Sequence, residues 1–279
     1  KIFTVLMLAR CMERRQDVIT KIKLLPTSLK LRSTEQKRIL RENTIPILGP
    51  IILSCIVIAP AHISSAVIVA MVSVIMLYIG RVPKWEIFKF CSIACIAAVV
   101  GFALLSLVGI GRGGVAGDRL TTWITEWTTN GEKSRVNDLS DTERAMIAIH
   151  EGGFMGEGAG HSSSRAVIIH PESDYAFAFF TSEYGFIAAI VLMLLYLWIT
   201  FRAIEICRRC PTAFLTFMTA GLGLLITCQA MLHILVQVNF LPETGQTLPF
   251  ISRGGSSLMF MSIALGMILS VSRIPEKKK

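Results

Sequence analysis

Charge is scarce in this sequence, and it is missing in long blocks. Asp, Glu, Lys and Arg make up 17% of the 279 residues, against about 25% in a soluble domain. None occurs in 44–80, 90–111, 184–201, 210–242 or 254–272. With 53% hydrophobic residues and a mean hydropathy of +0.61, the chain is no disordered tail, collagen or disulfide scaffold, and a water-soluble globule is disfavoured. The longest connection, 112–173, has no cysteine and so no disulfide. Cys207 and Cys210 form a single CxxC. One such pair cannot supply four zinc ligands, and the reading without a metal or redox role is favoured. There is no solenoid period and no low-complexity run beyond the basic tail.

What is present is membrane-spanning helix. A crossing needs about 20 apolar residues. The block 44–80 is too long for one crossing and carries Pro60 near its middle, so it splits into helices over 45–59 and 62–80. Six full transmembrane helices follow from these blocks, and the fold class is an all-α polytopic membrane protein with 1–279 as a single membrane domain. Residues 2–9 are apolar and Arg10 ends them. At about 1.5 Å per residue they cover about half a membrane. This partial seventh helix reads as the remnant of a fragment with earlier helices upstream.

The net charge of +9 is placed for a membrane, not for nucleic acid. Residues 10–43 hold ten Lys/Arg against four Asp/Glu. Together with 81–89, 202–211 and 273–279 they contain 20 of the 28 basic residues. If the helices alternate, these clusters share one side, which the positive-inside rule makes cytoplasmic. The loop 112–173 then lies outside, with six basic and nine acidic residues.

A 62-residue loop is long enough to expect function. Trp123 and Trp127 can share a helical face, with an interfacial anchor the favoured reading. Ser140 and Glu143 match a capping box, predicting a short helix through Ala145 to Ile149. Glycines 152, 153, 156, 158 and 160 end it. Such a run can cradle a phosphate, but is more often only a turn. His150, His161 and His170 lack metal-ligand spacing. Ser173 or Asp174 can cap the next helix, or Asp174 can be a free carboxylate beside the loop. Glu183 is nine residues on, about 13.5 Å deeper and roughly 180° round in a continuous helix. It should point into the bundle, as a functional acid or as a structural hydrogen-bond partner. The last connection, 239–257, holds two prolines and three glycines. Its 248–251 stretch is apolar enough to re-enter the membrane, where irregular backbone survives only inside protein or beside a wet cavity. Arg253 can face an anionic headgroup, and the small residues at 254–257 can equally serve close packing.

Three blocks resemble the SEDS family, the shape, elongation, division and sporulation proteins that include RodA and FtsW. They are Ile147-Ala148-Ile149 to Gly160, Pro171-Glu172-Ser173-Asp174 with Glu183-Tyr184-Gly185, and Leu241-Pro242 to Ser257. The resemblance is strong over 140–273 and weaker over 1–110. It implies a ten-helix fold and a peptidoglycan glycosyltransferase that polymerises lipid II at the outer face of the bacterial cytoplasmic membrane. The family's essential aspartate falls on Asp174, which would be the catalytic base. Lys1, Glu183, Thr247, Pro249, Arg253, Gly254, Gly255, Ser256 and Ser257 would meet the substrate. A divalent cation, magnesium or manganese, could share the pyrophosphate charge. The implied partners are a class B penicillin-binding protein and other cell-division or elongation membrane proteins, with no nucleic acid. Arg253 stands where Tyr is commoner, which leans the resemblance towards the division branch. The alternatives are a lipid II flippase and a non-catalytic cell-wall scaffold.

The charge asymmetry makes a direct prediction. In a cysteine-free background, an impermeant thiol reagent added outside should label a Cys placed at Asn130 and spare one at Ser33. The reverse pattern overturns the topology.

Overall fold

A computed structural model of the chain describes residues 1–16, 19, 44–108, 121–125, 141–162 and 172–274, the side chains of 97–108 excepted. The described structure contains no strand. Its helices of ten residues or more are α1 (Ile2–Arg14), α2 (Ile45–Ile58), α3 (Ile63–Ile79), α4 (Lys84–Val108), α5 (Asp141–Glu151), α6 (Ala176–Arg209), α7 (Ala213–Gln237) and α8 (Gly255–Ser272). The expected break in 44–80 is present: α2 ends two residues before Pro60 and α3 begins three after it. Most of the basic segment 10–43, Trp127, Ser140, His170, Pro171 and the lysine tail lie outside the described residues.

Among the described residues, α6, α7 and α8 are long and apolar enough to cross a membrane. The six full crossings expected from the sequence are thus matched by three at full length. At about 1.5 Å per residue, α2 and α3 are apolar but shorter than a hydrocarbon core about 30 Å thick. Only 17% of the apolar window of α6 and 22% of that of α8 are buried, against 72% for α7. So α7 is the interior span, and the other two present their apolar faces outward.

The chain divides into two compact units. The first comprises 1–114, 202–225 and 265–279. In it α1, α2 and α3 pack on one another, and α3 on α4. Val5, Leu8, Ala9 and Met12 form the buried face of α1, at the three-to-four spacing of one helical stripe. Thr4 and Ser54 hydroxyls join α1 to α2 at 2.7 Å. Gly221 of α7 admits Val5 and Met76 so closely that a Cβ there would sit 2.6 Å from each. Small residues let membrane helices approach in this way.

The second unit comprises 115–201 and 226–264. Here α5 packs Ala145 and Ala148 against Tyr175 and Ala178 at the start of α6. The acidic first turn of α5, Asp141 and Glu143, suits the positive end of a helix dipole. A single helical turn covers 121–125. Its Trp123 donates to the Asn239 carbonyl at 3.2 Å. This bond ties the turn to the start of the last connection.

Helix α6 is not continuous. Gly185 sits at φ +82, ψ 173 inside it. In an unbroken helix Phe186 N–H would donate to Ser182 O. Instead it donates to Gly153 O at 2.9 Å. The carbonyls of Ser182 and Glu183 accept from Glu157 N (3.0 Å) and Gly158 N (3.1 Å). The glycine loop thus supplies partners for backbone groups that the helix gives up. A Cβ on Gly185 would lie 2.4 Å from Phe154 O, and one on Gly156 would lie 2.2 Å from Glu183 O. Glycine is required at both positions by positive φ and by close approach.

Gly185→Ala should therefore lower stability by about 2–4 kcal/mol, combining the left-handed penalty with overpacking against backbone. Gly266→Ala, on a helix face with nothing within 4 Å, is the control and should be neutral or mildly stabilising. Thermal unfolding in detergent compares the two. Equal midpoints would contradict the junction described here.

Candidate active site

Asp174 lies in the turn 172–175 immediately before α6 and is exposed. Among the described residues its carboxylate takes one hydrogen bond, from Ser173 Oγ to Oδ1 at 3.1 Å. Neither Ser173 nor Asp174 caps α6, as one reading of the sequence expected. The amide of Ala178 donates instead to Gln237 Oε1 at 2.5 Å. A side chain of α7 thus does the capping, and the Asp174 carboxylate is left to solvent.

That glutamine belongs to a buried polar column. Gln229, His233 and Gln237 are four residues apart on α7, and none is more than 2% exposed. Four-residue spacing places them on one helical face. Gln229 Nε2 donates to Thr247 O at 3.0 Å. His233 Nδ1 bonds Gln246 O at 2.6 Å, while His233 Nε2 meets Gln237 Nε2. Gln237 Nε2 also donates to Asp174 O at 3.1 Å. The carbonyl and the amide fix a neutral imidazole with its proton on Nδ1. The column therefore ties both the Asp174 turn and the last connection to the interior helix.

That connection, 238–254, is irregular backbone packed partly into protein. Gln246, Leu248 and Ser252 are buried. Tyr196 of α6 donates to Pro249 O. Leu248 N–H donates to Ser252 Oγ at 2.7 Å, and Ser252 N–H returns to Leu248 O at 3.1 Å. Ser252 Oγ donates in turn to Ser173 O at 2.8 Å. The amide of Arg253 donates to Glu172 O at 2.8 Å, and its guanidinium pairs with the Glu172 carboxylate at 2.8 Å. Three bonds thus stitch Ser252 and Arg253 to the two residues preceding Asp174.

Electrostatically the site sets a carboxylate beside a cation. Arg253 has 83% of its side chain exposed. The hydrogen bond and then the charge of Glu172 push its pKa up, so it stays cationic. Tyr175 is buried and donates to Glu243 Oε1 at 2.8 Å. Burial first, and the Glu243 charge second, raise the phenol above its ordinary value, which keeps it a donor. Thr247 Oγ1 donates to Ser257 Oγ at 2.8 Å and Thr247 Cγ2 abuts Gly254. Thr247, Gly254 and Ser257 therefore brace the start of α8, where Gly255 and Ser256 are exposed.

Glu183 differs from its expected place inside the bundle. It is half-buried, and its Oε1 accepts from Gly160 N–H at 2.9 Å. The break at Gly185 explains this, because it brings the glycine loop onto the end of the first helical segment. Lys1 is at the N-cap of α1 in the first unit, whereas the other candidates belong to the second. Among the described residues no group of three or more His, Cys, Asp or Glu side chains could hold a metal ion.

Gln229, His233, Gln237, Glu172, Tyr175 and Glu243 were not among the sequence-derived candidates. The column had a readable signal, three polar residues at helical spacing inside the charge-free block 210–242.

Comparison with known proteins gives the family of the chain. The cell cycle protein family of FtsW, RodA and SpoVE matches over residues 1–277. Stage V sporulation protein E of Bacillus subtilis is 27% identical over 248 residues, covering 88% of this chain and 64% of that protein. The "Probable peptidoglycan glycosyltransferase FtsW" of Saccharophagus degradans is 31% identical, covering 80% of this chain and 54% of its own length. That of Coxiella burnetii is 29% identical, covering 98% and 66%. The chain thus spans between half and two thirds of these relatives. Two solved structures share the fold. One is a chain from a peptidoglycan synthase complex that coordinates polymerization and crosslinking, with TM-score 0.59, 18% identity and coverage of 97% of this chain and 67% of that one. The other is the rod shape determining protein RodA of Thermus thermophilus, with TM-score 0.52, 17% identity and coverage of 99% and 65%. With the family pattern running almost end to end, the chain belongs to the FtsW/RodA/SpoVE family of cell cycle proteins.

Proposed function

We propose that this chain is the site-bearing part of a peptidoglycan glycosyltransferase that polymerises lipid II at the outer face of the bacterial cytoplasmic membrane. The observation that carries the reading is the released carboxylate of Asp174. It stands exposed at the head of α6 because Gln237 has taken over the capping. The names of the FtsW relatives supply the reaction class, and they favour septal wall synthesis in cell division.

The chemistry follows from two charges. Asp174 takes the proton of the acceptor sugar's 4-hydroxyl as that oxygen attacks the donor's anomeric carbon. The new C–O bond forms as the bond to the undecaprenyl pyrophosphate breaks, and the pyrophosphate leaves with the electron pair. Attack opposite the leaving group converts an α-linked donor to a β-linked product. Arg253 is held beside the Asp174 turn and can meet the pyrophosphate charge. Its present partner, Glu172, forms an exposed pair, of the kind that an incoming anion displaces readily. Glu183 and the glycine loop hold the backbone around the α6 break. A synthase complex that couples polymerization to crosslinking supports a class B penicillin-binding protein as partner.

The test is Asp174→Asn in the full-length protein with its penicillin-binding partner and labelled lipid II, reading glycan chains on a gel. Asn keeps the shape and the acceptor for Ser173, and Gln237 keeps the cap, so the variant should fold normally. Loss of a general base costs about 10²–10⁴-fold, and glycan synthesis should fall in that range. Polymerisation within a few-fold of wild type would refute the assignment. A wild-type protein that moves lipid II across vesicles and never polymerises it would establish a flippase instead.

A further inference from the structure

A cavity of about 580 Å³ opens where α6 and α8 end, within the first unit. Its lining includes Arg202, Glu205 and Arg209 of α6 with Ser272, Arg273 and Ile274 at the end of α8. The sequence sets its depth. The charge-free blocks 184–201 and 254–272 stop at Arg202 and Arg273, so the guanidiniums stand where hydrocarbon gives way to headgroups. Arg202, Glu205 and Arg209 recur at three- and four-residue steps and share one face of α6.

Glu205 answers two of these arginines. Arg202 Nη1 pairs with its Oε2 and Arg209 Nη2 with its Oε1 at 3.3 Å. Among the described residues, the guanidinium of Arg273 has no such partner. Three arginines against one glutamate leave two positive charges in excess in this lining. Exposed ion pairs add little to stability, so fold stability does not account for gathering like charges in one mouth. Apolar residues adjoin them. Leu269, one turn before Arg273, is 54% exposed, and Ile274 of the lining is 39% exposed. A guanidinium fork matches phosphate oxygens, and an apolar margin beside it matches acyl chains. A free phosphate would use only the arginines.

We propose that this cavity binds the phosphate of an anionic phospholipid, drawn from the leaflet that the charge asymmetry makes cytoplasmic. Glu205 holds Arg202 and Arg209 in register for the headgroup, and Arg273 closes on it from α8. The site is separate from the Asp174 turn and does not depend on the activity proposed above.

The test uses the full-length protein in nanodiscs of phosphatidylcholine with phosphatidylglycerol as the minor lipid. Native mass spectrometry counts the phosphatidylglycerol retained on release, and thermal unfolding checks the fold. The variant Arg202→Ala/Arg209→Ala/Arg273→Ala should retain about tenfold less or lower still. Arg208→Ala removes an exposed arginine outside the cavity and should retain it as wild type does. If the triple variant does not fold, Arg273→Gln alone should show a reduced share. Full retention by a folded triple variant overturns the proposal, as does an equal loss in Arg208→Ala, which would mean nonspecific attraction. Displacement of the lipid by millimolar inorganic phosphate would assign the site to a free anion and likewise overturn it.

Discussion

Irregular backbone inside a membrane protein persists only where other groups take up its amides and carbonyls. In this chain one column on α7 does so. Gln229, His233 and Gln237 turn to the carbonyls of Thr247, Gln246 and Asp174, and Gln237 also receives the amide of Ala178. Each is a neutral group with both donors and acceptors, so the column satisfies backbone without burying a charge. The position of Asp174 depends on it twice, through the carbonyl that Gln237 holds and through the α6 amide that Gln237 caps. The stitched pair Ser252–Arg253 depends on it too, because the connection that carries them is anchored at 246 and 247.

The second junction works on backbone alone. At Gly185 the helix α6 is interrupted, and the glycine loop after α5 bonds the Phe186 amide and the Ser182 and Glu183 carbonyls. The loop that adjoins the candidate site is thereby fixed to the membrane-spanning helix rather than hanging from it. Glu183 adds a side-chain bond at the same seam. The two junctions together explain how a site made largely of turns can be rigid enough to orient reacting groups.

Much of this was legible in the sequence. Uncharged blocks marked the helices, and Pro60 marked the break between α2 and α3. The capping pattern at 140–143 anticipated α5, and the prolines and glycines of 239–257 anticipated an irregular connection. The capping of α6 was not legible, because its acceptor lies 59 residues away on another helix and local pattern favoured Ser173 or Asp174. Glu183 was misplaced for a related reason: the glycine two residues later lets a loop from outside the helix reach its carboxylate. The α7 column was spaced as plainly as any apolar stripe. Reading only charged groups as remarkable in a membrane span hides it, although a buried amide or imidazole needs partners just as surely.

Hydrogen–deuterium exchange on the full-length protein in bilayer nanodiscs tests the central claim most directly. His233→Leu keeps the helix and the bulk but removes both ring nitrogens, and with them the bonds to Gln246 O and to the Gln237 amide. Each lost buried bond costs about 1–3 kcal/mol, so amides in 242–254 and at the head of α6 should exchange about tenfold faster or more, while the interior of α7 stays protected. Unchanged protection in those two segments, in a folded variant, would contradict the account that the α7 column holds the site in place.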